Sequence, residues 1–83
     1  MFLAEIIVKF KKNVKNPEEK TLETLISRLD FQEIETVSCS KLYNFKIKTK
    51  NKSEALKIAN ELAKKVLSNP IIEEFEVKIC ELQ

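Results

Sequence analysis

The sequence predicts an α+β domain of ferredoxin-like form, β-α-β-β-α-β, whose four-stranded, mainly antiparallel sheet carries two helices on one face. Three observations predict it. Phe2 to Phe10 and Ile71 to Cys80 alternate residue by residue, the period of a strand. Two inner stretches, opening at Asn16-Pro17 and at Ser53, place apolar residues three and four apart, the period of a helix. Both helical stripes have similar width, so the simplest packing lays them side by side on one sheet face.

In the first strand Phe2, Ala4, Ile6, Val8 and Phe10 share one face, assigned to the core. The other face carries Leu3, Glu5, Ile7 and Lys9 and is half apolar. Either a second subunit covers Leu3 and Ile7 or they are scattered exposed apolar residues, which are common. Lys11 to Lys15 is a short basic loop. Asn16 then serves as N-cap, Pro17 takes the first helical position, and Glu18 and Glu19 meet the positive end of the helix dipole. Glu19 stands where a capping-box acid belongs. Leu22, Leu25, Ile26 and Leu29 form the stripe to be buried, and the helix ends near Asp30.

After a connector at Phe31 to Glu33, Ile34 to Cys39 reads as a second strand. Its pattern is poor, which puts it at an edge or an interface. Ser40-Lys41 is the turn into a third strand, Leu42 to Thr49, with Tyr43, Phe45 and Ile47 on the core side. Lys50-Asn51-Lys52 leads to the second helix, which Ser53 caps. Ala55, Ile58, Ala59, Leu62, Ala63, Val66 and Leu67 form its apolar stripe. The helix must stop before Pro70, because proline disfavours the α conformation of its predecessor. The closing strand puts Ile71, Glu73, Phe75, Val77 and Ile79 on one face, where Glu73 is either at the rim or paired with a lysine.

With 83 residues the chain is one domain, residues 1–83. Domains of this size often gain stability by oligomerising. Net charge is only +2 and Arg28 is the sole arginine, so the lysines read as a solvated surface and no nucleic acid partner is expected. There is no histidine, and the two cysteines, Cys39 and Cys80, lie far apart, so no metal site is expected and both are read as reduced thiols. No apolar run approaches the roughly 18 residues of a membrane span, and the opening residues, without a basic leader or a long apolar stretch, are not expected to form a signal peptide. The expected location is cytoplasmic.

Catalytic chemistry is scarce. Neither cysteine nor any serine has a histidine to activate it. Glu18 and Glu19 are adjacent on a helix and do not face each other. Glu73 and Glu74 point to opposite faces of a strand, so they form no dyad. The absence of glycine removes phosphate-binding loops of the glycine-rich kind. An RNA-binding module of this fold would stack bases on exposed strand aromatics, whereas Phe2, Phe10, Tyr43, Phe45 and Phe75 fall on the core side. A regulatory domain that binds an amino acid is a second alternative, made unattractive by turns without glycine.

Three stretches resemble one family. Val14-Lys15-Asn16-Pro17-Glu18-Glu19-Lys20 is similar to its segment before the first helix, Val37-Ser38-Cys39-Ser40-Lys41 to its hairpin, and Leu67-Ser68-Asn69-Pro70-Ile71-Ile72-Glu73-Glu74-Phe75 to its most specific motif. The family is PurS, the small subunit of phosphoribosylformylglycinamidine synthase, and the resemblance covers nearly the whole chain. Glu19 and Ser40 stand where the family's glycines are usual, and a serine at a hairpin tip is expected to strain a turn that needs positive φ. The resemblance implies a subunit without an active site of its own, binding no cofactor, in a complex that uses ATP and Mg. It implies self-association as a homodimer or higher, and assembly with a large ATP-using synthase subunit and a glutaminase subunit. On it, Lys41, Asn69, Ile72 and Glu73 are interface or positioning residues, and Leu3 and Ile7 are dimer contact candidates. Asn69 alternatively serves only as the C-terminal cap of the second helix, in the left-handed conformation.

Overall fold

The computed structural model describes residues 1–82. Its elements in chain order are β1 (Phe2–Phe10), α1 (Pro17–Arg28), β2 (Lys41–Ile47), α2 (Lys52–Leu62) with a π-helical turn (Ala63–Leu67), and β3 (Glu73–Glu81). The sheet has three strands in the order β2-β1-β3. β1 is the middle strand and runs antiparallel to both neighbours, with Ile6 opposite Tyr43 on one side and Val77 on the other.

The expected second strand is absent: Ile34 to Cys39 runs without regular structure into β2. The physical reason is its composition. Ile34, Thr36 and Ser38 alternate with Glu35, Val37 and Cys39, so neither side offers an apolar face that would repay ladder formation. The closing strand also begins later than its alternation implies, at Glu73, and Ile71 lies in the preceding turn, 79% exposed.

The core forms where β1 meets α2. Phe2, Ala4, Ile6 and Val8 are buried on β1, Ile47 on β2, and Ala55, Ala59 and Ala63 on the helix and its π turn. Tyr43, Phe45, Leu62, Leu67, Phe75, Val77 and Ile79 close around them. An alanine every fourth residue lets the helix backbone lie close to the sheet, and the wider stripe is only partly used: Ile58 and Val66 face outward. Asn51, not Ser53, caps α2, its Oδ1 accepting the Glu54 N–H at 2.8 Å. The helix stops before Pro70, as expected; Ser68 closes it by donating both N–H and Oγ–H to the Ala63 carbonyl.

α1 behaves differently. Its start follows the rules: Pro17 is at the first position and Asn16 Oδ1 accepts the Glu18 N–H at 2.9 Å. Its end is a Schellman motif. Phe31 N–H reaches the Ile26 carbonyl, Asp30 N–H reaches that of Ser27, and Asp30 takes φ 66°, the one positive φ among the described residues. Yet the helix forms no packing interface with the sheet and buries none of its residues. Leu25 is 49% and Leu29 62% exposed. Two helices on one face is therefore corrected to one. The chain is correspondingly long and thin, 52 × 30 × 14 Å, with a Cα radius of gyration of 16.4 Å. A compact chain of this length has about 12 Å.

Since Ala59 is fully buried where α2 meets β1, Ala59→Leu is expected to overpack the contact. It should lower stability by about 1–3 kcal/mol, read from the urea midpoint.

Candidate functional site

The sheet ends in a cleft. Register places Lys41 and Phe75 on either side of Val8, and Glu73 beside Phe10. The period of two then puts Lys41 and Glu73 on the helix-side face, flanking β1 at one end of the sheet. They line a cavity of about 130 Å³ together with Asn16, Glu18 and Cys39. Glu73 is half-buried and Lys41 exposed.

Glu73 is held by a turn that closes on itself. Its Oε1 accepts the Asn69 N–H at 2.7 Å, while its own N–H donates to the Asn69 carbonyl at 2.7 Å. Asn69 Oδ1 accepts the Ile71 N–H at 3.1 Å, an Asx-turn. Asn69 therefore organises the turn through its side chain; its φ is not positive, so the left-handed cap expected at the helix end does not form. Lys11 fastens the turn to the end of β1, with Nζ donating to the Pro70 carbonyl at 2.7 Å and its backbone N–H to that of Ile72 at 2.9 Å. Of the two expectations for Glu73, the rim position holds: among the described residues the ion pairs are made by Lys9 with Glu74 and Glu76 on the opposite face.

The other wall comes from α1. Glu19 does not close a capping box. Its Oε2 instead accepts the Cys39 N–H at 2.6 Å, across twenty residues of sequence. Ser40, next in the chain, has no positive φ, so the expected hairpin strain is absent. Partial burial pushes the Cys39 thiol above its ordinary pKa, with the charges of Glu19 and Glu18 adding to the shift. Among the described residues, no group of three or more His, Cys, Asp or Glu side chains is placed to hold a metal ion, and no helix is long and apolar enough to cross a membrane.

A profile of the family PurS, phosphoribosylformylglycinamidine (FGAM) synthase, matches residues 3–81. The chain belongs to the PurS family. It is 30% identical, over the full length of both chains, to the phosphoribosylformylglycinamidine synthase subunit PurS of Methanocaldococcus jannaschii. The crystal structure of a PurS from that organism superposes with a TM-score of 0.89, covering 100% of each chain at 31% identity. A chain in the structure of PurLQS from Thermotoga maritima shares the fold, with a TM-score of 0.82 at 23% identity over 96% of this chain and 99% of that one.

Within this PurS-family fold, Lys41 and Glu73 meet at the cleft, and Asn69 and Ile72 belong to the turn that holds Glu73. Leu3 and Ile7 lie on the other face of the sheet, beside Cys80 and Leu42 and half-buried by their neighbours. That face has no aromatic residue along the three strands, since Phe2, Tyr43, Phe45 and Phe75 are on the helix side. The sequence reasoning missed Lys11 and the long reach of Glu19. The first sits in an ordinary basic loop, and the second occupies a capping position that accounted for it.

A raised thiol pKa means less of the reactive thiolate at neutral pH. Alkylation of Cys39 by iodoacetamide, followed by mass spectrometry with exposed Cys80 as internal reference, should have a midpoint above the ordinary thiol range.

Proposed function

We propose that the chain is the non-catalytic small subunit of phosphoribosylformylglycinamidine synthase in purine biosynthesis. It assists assembly of the ATP-dependent ligase subunit with the glutaminase subunit, and the passage of ammonia between them. Membership of the PurS family carries this reading. The cleft supports it, because its groups are placed to bind and orient. Lys41 offers an exposed cation, and Glu73 a carboxylate fixed by the Asn69 amide. Closing such a surface against another subunit excludes water, which keeps ammonia from escaping or taking a proton. ATP and magnesium serve the large subunit.

The subunit works as a homodimer. An apolar helix stripe needs a surface, and among the described residues none buries α1: Leu22, Leu25 and Leu29 stay exposed and Ile26 is only half-buried. The helix-side face over β2 is left half covered, with Tyr43 and Phe45 stacked at 6.3 Å and only partly buried. A second copy's α1 on that face restores two helices on one sheet and accounts for the long radius of gyration. Sedimentation equilibrium should therefore give about twice the 9.7 kDa chain mass. Because Leu25 is half exposed in the single chain, Leu25→Asp should yield folded monomer rather than unfolded protein.

Reconstitution tests the function. The chain is mixed with the large subunit, the glutaminase, ATP, magnesium and glutamine, and amidine formation is followed. Glutamine-dependent turnover should require this chain while ammonia-dependent turnover does not. Glu73→Ala should weaken assembly more than it weakens the fold, read as complex affinity against melting temperature. A normal complex with full glutamine-dependent turnover would remove Glu73 from the interface.

A further inference from the structure

One side chain is committed to a bond that neither the core nor helix capping requires. Glu19 lies in the first turn of α1, and its Oε2 accepts the backbone N–H of Cys39 at 2.6 Å. The charge makes this a strong hydrogen bond. The residues it joins have little else to hold them together. α1 has no packing interface with the sheet, and the chain from Phe31 to Ser40 belongs to no ladder. Lys41 follows Cys39 by two residues and is the first residue of β2. The bond lies where two neighbouring cavities meet: one lined by Lys41, Glu73 and Cys39, the other by Glu19, Cys39 and Lys11.

We propose that Glu19 is a positioning residue, a latch that fixes the Cys39–Lys41 segment against the root of α1 so that Lys41 is presented to the partner subunit in register with Glu73. This rests on the assembly function above. Glu73 is already fixed from its own side by the Asn69 turn and Lys11. Lys41 has no side-chain partner among the described hydrogen bonds and ion pairs, so its placement depends on its backbone. On the entering side that backbone is fastened at the Cys39 amide.

The test uses the thiol beside the latch. Iodoacetamide labelling of Cys39, with Cys80 on β3 as reference, is compared in the wild type, Glu19→Gln and Glu19→Ala. Burial and Glu18 raise the Cys39 pKa in every form, and both variants remove the Glu19 charge that adds to it, so their difference isolates the acceptor. Glu19→Gln keeps an oxygen for the Cys39 amide and should label within about threefold of the wild type. Glu19→Ala should label about tenfold faster or more, the loss of a hydrogen bond to a charged group, with Cys80 unchanged. Affinity for the large subunit should fall in Glu19→Ala and be restored in Glu19→Gln, at equal melting temperatures. Equal labelling of the two variants would overturn the latch. Faster labelling with unchanged affinity would overturn the positioning of Lys41. If the wild type itself fails to bind, the assembly function is wrong, and the labelling result still decides whether the latch exists.

Discussion

The structure depends on the antiparallel pairing of β1 with both neighbours. One nine-residue strand supplies the ladder for β2 along one edge and β3 along the other. Its alternation puts Phe2, Ala4, Ile6 and Val8 under the alanines of α2, so a single segment satisfies the backbone of the sheet and fills its core. The cleft follows from the same pairing. Lys41 and Glu73 are brought together because each lies beside the last residues of β1, Lys41 at Val8 and Glu73 at Phe10, one on either side. Shifting either neighbour by one residue would send its charge to the opposite face.

The elements that build this core were legible because burial and periodicity agree in them. β1, β2 and β3 alternate, and α2 carries its stripe up to the stop imposed by Pro70. The absence of a fourth strand and of a second packed helix was not legible, for two different reasons. A periodic stripe states that a surface must be buried, and does not state in which molecule. Leu22, Leu25 and Leu29 form the expected stripe on α1 and remain open. Ile34 to Cys39 has the length of a strand without an apolar face to commit it.

The candidate site was legible in part. Lys41 and Glu73 were singled out, and the register of the sheet places them at one cleft. What holds them lay beyond pattern reading. A glutamate at the third helical position is explained by capping, so its bond to Cys39 leaves no trace in the local sequence. Likewise the pattern points to Ser53 as the cap of the second helix, whereas Asn51, two residues earlier, accepts the Glu54 N–H and starts the helix at Lys52. Asp30 shows how a chain without glycine finishes a helix: a short polar side chain tolerates the left-handed conformation and itself accepts the Gln32 amide at 2.9 Å.

Among the described residues the three-stranded sheet has two edges without a ladder partner, the outer sides of β2 and β3. Unpaired strand edges are templates for indiscriminate stacking between chains. β3 meets that hazard with Glu74, Glu76 and Lys78 on the face away from the helix, and β2 with Lys46 on that face and Lys41 on the helix side. These charges are costly to desolvate against an arbitrary strand and easy to match by a surface of opposite sign. The lysines and glutamates on the two edge strands thus disfavour pairing with an arbitrary strand and leave room for a surface of matching charge.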